Sequence, residues 1–332
     1  MALLDVNTVL PYLREHGLSR GDSVAVELGG GVSNVVLAVR PAAKDTAGIV
    51  VKQALPRLRV AEEWLASADR VLTEADALEF AGNLTPDAVP PVIHRDPDRY
   101  VITIRHAPLT WRDWKSQLLD GHVEESVASR LGEILADWHR STLDGVGLPA
   151  RVRSGAEAFE QLRVDPFYRT IARGHPDVAT RVLALADVMA DRRRCLVHGD
   201  FSPKNILVGD AGCWVIDFEV AHYGDPAFDL AFMLCHLTLK ALHRPQDAAA
   251  LDRCAATFAE RYERSVGAEL WPDWPYVMAH VGCLVLARVR GKSPAPYLSD
   301  AGRDAAWRAG CALLASPPER VTDLAGVRSE AA

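Results

Sequence analysis

Residues 195–237 read CLVHGDFSPKNILVGDAGCWVIDFEVAHYGDPAFDLAFMLCHL, and the rest of the chain is understood from this stretch outward. Two short apolar runs, CLV and NILV, bracket the polar loop HGDFSPK, and a third run, CWVID, ends in a carboxylate. Apolar runs of this length, bounded by Gly, Asp and Pro, read as short strands joined by a loop. The loop presents Asp200 and, five positions on, Asn205; the third strand delivers Asp217, with Glu219 two residues beyond. A candidate base and two or three oxygen ligands for a hard cation are thereby drawn into one small region. Magnesium takes oxygen ligands, commonly one or two carboxylates together with substrate phosphates. Phosphoryl transfer asks for that equipment, because it depends on positioning and on neutralising charge.

HGDxxxxN followed by IDFE resembles the catalytic and metal loops of the aminoglycoside phosphotransferase and choline kinase superfamily. Those proteins share the protein-kinase fold, where H-R-D-x-x-x-x-N and D-F-G hold the matching places. The resemblance implies an α+β, protein-kinase-like two-lobe fold with a small antiparallel-sheet lobe and a larger, mostly helical one. It places a nucleotide-binding lobe at residues 1–104, a hinge at 105–107 and a catalytic and substrate lobe at 108–332.

With 332 residues the chain is long enough for two lobes with cores of their own. A net charge of −7, with no basic run longer than Arg192-Arg193-Arg194, argues against a nucleic-acid partner. The apolar window at 277–286 is too short to span a bilayer, so no membrane role is expected. The first residues, MALLDVNTVL, lack the basic and long apolar segments of a signal peptide. Six cysteines without a CxxC pair read as reduced thiols, and the expected location is cytoplasmic.

Toward the N-terminus, residues 7–17 suggest a short amphipathic helix, followed by SVAVEL, GGGVSN and VVLAV. A Gly-rich turn between Val-rich runs is a hairpin signal, and glycines also let backbone approach a phosphate chain. It is no Walker loop, because no Gly-Lys-Ser/Thr follows. A plain hairpin turn accounts for it as well as a phosphate loop does. GGVSN resembles the nucleotide-covering loop of the family, which implies that Gly30, Gly31, Ser33 and Asn34 lie near the phosphates.

Lys52 closes the apolar run GIVVK, where burying an ammonium without an anionic partner is costly. A helix starting near Ser67 carries Val71, Leu72, Glu74, Ala75 and Leu78 at helical spacing. Glu74 is the expected partner of Lys52, the pair steadying nucleotide phosphates as in kinases, while Asp76 and Glu79 are expected to face solvent. KQALP, the following Arg, a Trp and a D-R-x-x-x-E run are similar to the bacterial 5-methylthioribose kinases, and Glu219 in place of glycine points the same way. PPVIHRD and YVITI read as paired strands around DPDR, and backbone at Thr103 to Arg105 is expected to hold an adenine edge, with His106 on the hinge surface.

Beyond the hinge, helices are expected at 110–121, 122–143, 176–191, 225–242, 246–266, 273–289 and 300–315, with Pro166 and other prolines marking turns. His139 reads as a packed histidine. By resemblance, Asp229 braces the catalytic loop from beneath, and Arg288 matches one of two adjacent arginines that contact sugar in methylthioribose kinases. Ala287 holds the other position, which puts methylthioribose itself in question.

The implied activity is ATP- and Mg2+-dependent transfer of a phosphoryl group to a hydroxyl of a small-molecule acceptor. Asp200 takes the role of base; Asn205 and Asp217 hold the metal, with Glu219 a further candidate; His198 supports the loop backbone; the role of Lys204 is open. Three readings compete: a sugar or thiosugar kinase, an aminoglycoside-type kinase, and a non-catalytic nucleotide-binding module. Residues 108–332 hold 30 acidic against 26 basic side chains, a mild excess for an enzyme that attracts polycations. An inert module would have lost Lys52, Asp200, Asn205 or Asp217, and all are present. The acceptor's identity, the oligomeric state and the choice between ATP and GTP are left open.

Overall fold

A computed structural model describes residues 3–19, 22–29, 33–42, 48–55 and 67–331. Gly30 and Gly31, and most of the stretch that follows KQAL, lie outside these residues. After helix α1 (Val9–Glu15) come strands β1 (Ser23–Glu27), β2 (Asn34–Pro41) and β3 (Ile49–Ala54), helix α2 (Arg70–Leu84), and strands β4 (Val92–Asp96) and β5 (Val101–Arg105). The five strands form one antiparallel sheet in the order β1-β2-β3-β5-β4. The expected hairpin around DPDR is the β4–β5 connection.

Strand periodicity decides what each face meets. Val35, Leu37, Val39, Val51 and Val101 point toward α1 and form a small core with Val9, Tyr12 and Leu13. Alternate residues Ala54, Ile102 and Ile104 point the other way, into the large core that includes α2. Lys52 is on that second face, so its side chain is delivered to α2.

Helix α2 begins at Arg70, after a turn in which the Asp69 N–H donates to Ser67 Oγ, three residues later than expected. Val71, Leu72, Ala75 and Leu78 are buried as their spacing suggests, yet Arg70, Thr73, Glu74 and Ala77 are buried too. The helix is covered on several sides because it packs on the sheet and also on the helical part of the chain. Asp76 and Glu79 do not simply face water. Both pair with Arg95 on β4, and Asp76 also lies 3.5 Å from Arg151.

The remaining chain contains β6 (Arg112–Asp113), α3 (Trp114–Leu119), α4 (Glu125–Ser141), α5 (Ala150–Arg153), α6 (Ala156–Phe159), a π-helical segment at Glu160–Arg169, α7 (Thr170–Gly174) and α8 (Pro176–Asp191). Strands β7 (Cys195–Val197), β8 (Ile206–Gly209), β9 (Gly212–Val215) and β10 (His222–Gly224) follow. Helices α9 (Ala227–His243), α10 (Ala248–Val266), α11 (Trp274–Arg290), α12 (Asp300–Ala315) and α13 (Leu324–Ala331) complete it.

The helices from α8 to α12 match the expected spans within two residues at each end. Their starts are chemically marked: Asp273 and Ser299 accept from the N–H groups of Tyr276 and Gly302, and Pro176 opens α8. Pro166 was expected at a turn between helices, but it lies within the π-helical segment. Close approach of α11 and α12 requires glycine, since a Cβ on Gly282 would lie 2.8 Å from the Gly310 carbonyl oxygen. All six cysteines are free thiols, and no helix among the described residues is long and apolar enough to cross a membrane.

Candidate active site

Strand β7 pairs with β10, and β8 forms a hairpin with β9, so the HGD loop is held between two small ribbons. The loop turns at Gly199, whose φ of +76° favours glycine and whose Cβ would meet the Val220 carbonyl oxygen at 2.9 Å. Beneath it, Asp229 from α9 accepts the N–H groups of His198 (2.7 Å) and Gly199 (2.9 Å) on its two oxygens. His139 is fully buried, with its Nδ1 2.8 Å from the Tyr262 hydroxyl and its Nε2 3.6 Å from Asp229.

His198 accepts the Asp200 N–H at Nδ1 (3.0 Å), which leaves Nε2–H to donate to the Ile216 carbonyl at 3.2 Å. One imidazole thus ties the Asp200 loop to the strand that leads to Asp217. Burial pushes its pKa down, so the ring is neutral and keeps this tautomer.

Asp200 is buried, and its Oδ2 receives Asn205 Nδ2 (2.8 Å), Lys204 Nζ (2.8 Å) and Arg163 Nη2 (2.9 Å). Oδ1 carries no such partner among the described residues. Burial works to raise the Asp200 pKa, but Arg163 and Lys204 overcome it and hold the carboxyl below its usual value. Arg163 also donates to the Gly199 carbonyl at 2.7 Å, gripping the loop from the π-helical segment. Nothing in the sequence around Arg163 marked it for this place, since the contact spans 37 residues and a stretch whose proline suggested a turn.

Across from Asp200, Lys52 lies between two carboxylates, 2.6 Å from Glu74 and 2.7 Å from Asp217 Oδ1. Burial opposes its charge, but Asp217 and Glu74 more than compensate and its pKa is raised. Glu74 is pushed up by burial, with one oxygen lacking any hydrogen bond, while Asp217 is held far down chiefly by Lys52 against its own burial. Lys52 and Asp217 are therefore an ion pair to which a buried, poorly satisfied Glu74 is attached. Asp217 adopts a φ of +73°, a left-handed conformation uncommon outside glycine and tolerated by Asp.

Glu219 faces the first lobe. Its Oε1 accepts from Ser33 Oγ (2.7 Å), and its Oε2 from Asn34 Nδ2 (2.9 Å) and Arg70 Nε (3.2 Å). Arg70 also donates to the carbonyls of Ser67, Leu55 and Ser33, so one guanidinium joins the start of α2, the end of β3 and the end of the Gly-rich loop. Arg70 stands in the D-R-x-x-x-E run, which was legible as a mark without its mechanical role.

The structure brings Ser33, Asn34, Lys52, Glu74, Asp200, Asn205, Asp217 and Glu219 into one region, with His198 and Asp229 behind it. Thr103 and Arg105 differ from expectation. Both lie within β5, where Thr103 pairs with Val51 and His94, and the Arg105 N–H donates to the Pro91 carbonyl. The sheet ladder engages their backbone, so the connector leaving the sheet begins after His106. Arg288 lies farther along, on α11, donating to Ser293 Oγ at 2.6 Å.

Among the described residues no three His, Cys, Asp or Glu side chains form a metal cluster. The donors present nonetheless suit magnesium, which keeps waters and substrate phosphates in its shell. Asn205 Nδ2 is engaged by Asp200, which turns the amide oxygen outward, and the Asn205 carbonyl accepts from the Ile216 N–H (2.9 Å) immediately before Asp217. Asp217 gives only Oδ1 to Lys52 and remains part-exposed. Glu219 has both oxygens engaged, and would have to release Ser33 or Asn34 and Arg70 to reach a cation.

A lysine held by a helix carboxylate, opposite an Asp–Asn loop and a second Asp, defines a kinase-like phosphotransferase. A family model described as the phosphotransferase enzyme family matches residues 24–280. The chain is 30% identical over 275 residues to a methylthioribose kinase of Pectobacterium atrosepticum, covering 72% of this chain and 68% of that protein. It is 27% identical over 278 residues to the methylthioribose kinase of Bacillus cereus, covering 74% and 68%. Among solved structures it is similar in fold to an amicoumacin kinase in complex with AMP-PNP, Ca2+ and Ami (TM-score 0.55, 14% identity, 89% of each chain). It is also similar to a choline kinase from Streptococcus pneumoniae (TM-score 0.53, 15% identity, 93% and 98%). The chain belongs to the phosphotransferase enzyme family, and it is an enzyme of that class with the kinase-like α+β fold.

Proposed function

We propose that this enzyme transfers the γ-phosphoryl group of ATP to a hydroxyl of a sugar-like small molecule. The observation that carries the reading is Lys52 lying 2.6 Å from Glu74 and 2.7 Å from Asp217, beside an Asp200 whose Oδ1 is unengaged. Residues 1–104 then serve as the nucleotide-binding lobe and 108–332 as the catalytic and acceptor lobe; of the expected hinge at 105–107, Arg105 belongs to β5 and the His106 N–H is bonded to the Gly48 carbonyl, so the connector starts beyond them. Similarity to methylthioribose kinases over about 275 aligned residues supports an acceptor of sugar-like shape.

Lys52 steadies the α- and β-phosphates, and Glu74 fixes its direction. Ser33 and Asn34 present the end of the Gly-rich loop to the phosphates; Gly30 and Gly31, expected there from the sequence, lie outside the described residues. Asn205 and Asp217 would hold Mg2+, with Glu219 able to join only by leaving the first lobe. When bound, the metal neutralises the charge carried by the phosphates. Asp200 accepts the acceptor hydroxyl's hydrogen bond at Oδ1 and takes its proton as transfer proceeds. Its low pKa keeps it ionised at neutral pH, so orientation is its larger contribution and proton removal comes late. Lys204, half exposed and 2.8 Å from Asp200, is placed to meet charge on the transferring group. His198 and Asp229 position the loop without touching the reactants.

The test is ADP formation with MgATP and a panel of sugars, together with Asp200→Asn. The variant is expected to lose at least about 10³-fold in kcat while ATP still raises the melting temperature. Retention of more than a tenth of wild-type turnover would remove Asp200 from this role.

A further inference from the structure

On α9, one and two turns beyond Phe232, lie His236 and Lys240. Phe232 stacks on Phe167, whose ring lies 5.9 Å from the guanidinium of Arg163, so α9 reaches the grip on the catalytic loop through these two rings. Lys240 is completely buried, and its ammonium has one hydrogen bond, a long one of 3.4 Å to the His236 carbonyl on its own helix. No carboxylate pairs with it among the described residues. The Tyr297 ring lies 5.7 Å away, and the ring's hydroxyl is buried without a partner. Arg288 Nε and His236 Nε2 are likewise buried and unpartnered.

Lys115 on α3 adds a further cation, and Lys204 of the catalytic loop is near enough to oppose protonation of His236. Asp113, whose field also reaches Lys240, already accepts the N–H and hydroxyl of Ser116 at the start of α3. Burial, reinforced by Lys115 and Arg288, brings the Lys240 ammonium down to about 7. Lys240 is therefore only partly protonated near neutral pH, and an anionic group held beside it would restore the full ammonium charge.

We propose that Lys240, Arg288, His236 and Tyr297 form a subsite for an anionic group on the phosphoryl acceptor, a carboxylate or a phosphate. The acceptor is then a hydroxylated acid, such as a sugar acid or sugar phosphate, rather than a neutral sugar. This rests on the kinase reading of the neighbouring site and narrows its substrate class. It also opposes a polycationic acceptor, which this cluster would repel.

The experiment is MgATP turnover with matched sets: glycerol, glycerate and glycerol 3-phosphate; ribose, ribonate and ribose 5-phosphate; glucose, gluconate and glucose 6-phosphate. An acidic member is expected to exceed its neutral parent at least tenfold in kcat/KM, and the better of the two acids identifies the anion. Lys240→Met is expected to raise KM for that acid at least tenfold, to leave KM for ATP within twofold, and to raise the melting temperature by about 2 °C or more, because an uncompensated buried charge has been removed. Arg288→Gln, at the half-buried edge, is expected to show the same KM loss. Equal or better use of the neutral parent overturns the proposal, as does a Lys240→Met protein that keeps its KM or melts lower than wild type. If no panel member is phosphorylated, thermal shifts with inorganic phosphate and with glycerate decide. A shift present in wild type and absent from Lys240→Met supports the subsite; identical shifts overturn it. Asp200→Asn, run alongside, loses turnover but keeps those shifts, so failure of the kinase reading is seen separately.

Discussion

Two groups of buried charges lie close together in this enzyme, and they are neutralised in opposite ways. Around the catalytic loop each ion has a counter-ion from the chain: Lys52 with Glu74 and Asp217, Arg70 with Glu219, Arg163 and Lys204 with Asp200. Along α9 and α11, Lys240 and Arg288 have none among the described residues, and Arg288 Nε, His236 Nε2 and the Tyr297 hydroxyl make no hydrogen bond. The first arrangement is charge-balanced by the chain itself, which suits the nucleotide site proposed above. The second is complete only with a ligand. The difference separates preorganised machinery, common to many acceptors, from a recognition surface that expects one particular charge.

The sharpest way to break this comparison is to replace each lysine by methionine. Lys52→Met leaves buried Glu74 and part-exposed Asp217 without their cation, and stability should fall by about 3 kcal/mol, with a loss of about 10²-fold in kcat/KM for ATP. The double variant Lys52→Met, Glu74→Leu should regain most of the melting temperature and none of the turnover. Lys240→Met should move the melting temperature in the opposite direction. If both single variants melt lower by similar amounts, the contrast between the two regions is lost.

A smaller effect is expected from Arg163→Met. Removing this cation from Asp200 Oδ2 lets burial raise the carboxyl pKa, since Arg163 heads the interactions that now hold it down. The acid limb of the pH–rate profile should therefore move to higher pH by about one unit, with kcat lowered about tenfold at neutral pH. A profile that keeps its position would leave Arg163 as a packing residue only. Glu219→Gln should have the mildest consequence: KM for ATP rising about threefold as the tether to Ser33, Asn34 and Arg70 weakens, with the magnesium activation curve unchanged. A displaced magnesium curve would return Glu219 to the metal.

Much of this was readable before any coordinates. The strands at CLV, ILV and CWV, the position of Lys52 at the end of a Val run, and the spacing of Glu74 within a helix all follow from periodicities of two and 3.6 residues, although Asn205 precedes its strand and Asp217 lies two residues beyond the end of β9. The later helices were equally plain from their helical pattern, and the structure shows Asp273 and Ser299 capping two of them and Pro176 opening a third. The segment from Ala150 to Gly174 was not legible, since its short turns and its π-helical stretch around Pro166 carry no regular period. Thr103 and Arg105 were assigned to the connector because an apolar strand's end is poorly defined in sequence, and only the pairing with β3 and β4 fixes it.

The sequence by itself determined which chemistry-bearing residues exist and on what local element each is carried, because local periodicity and turn chemistry act over a few positions. Except for Lys52 with Glu74, the tertiary structure decided which charges meet. Lys52 and Asp217 are 165 positions apart, Ser33 and Glu219 are 186 apart, and Lys240 meets no carboxylate at all among the described residues. Compensation of a buried charge depends on what packs against it in space, and no local pattern records that.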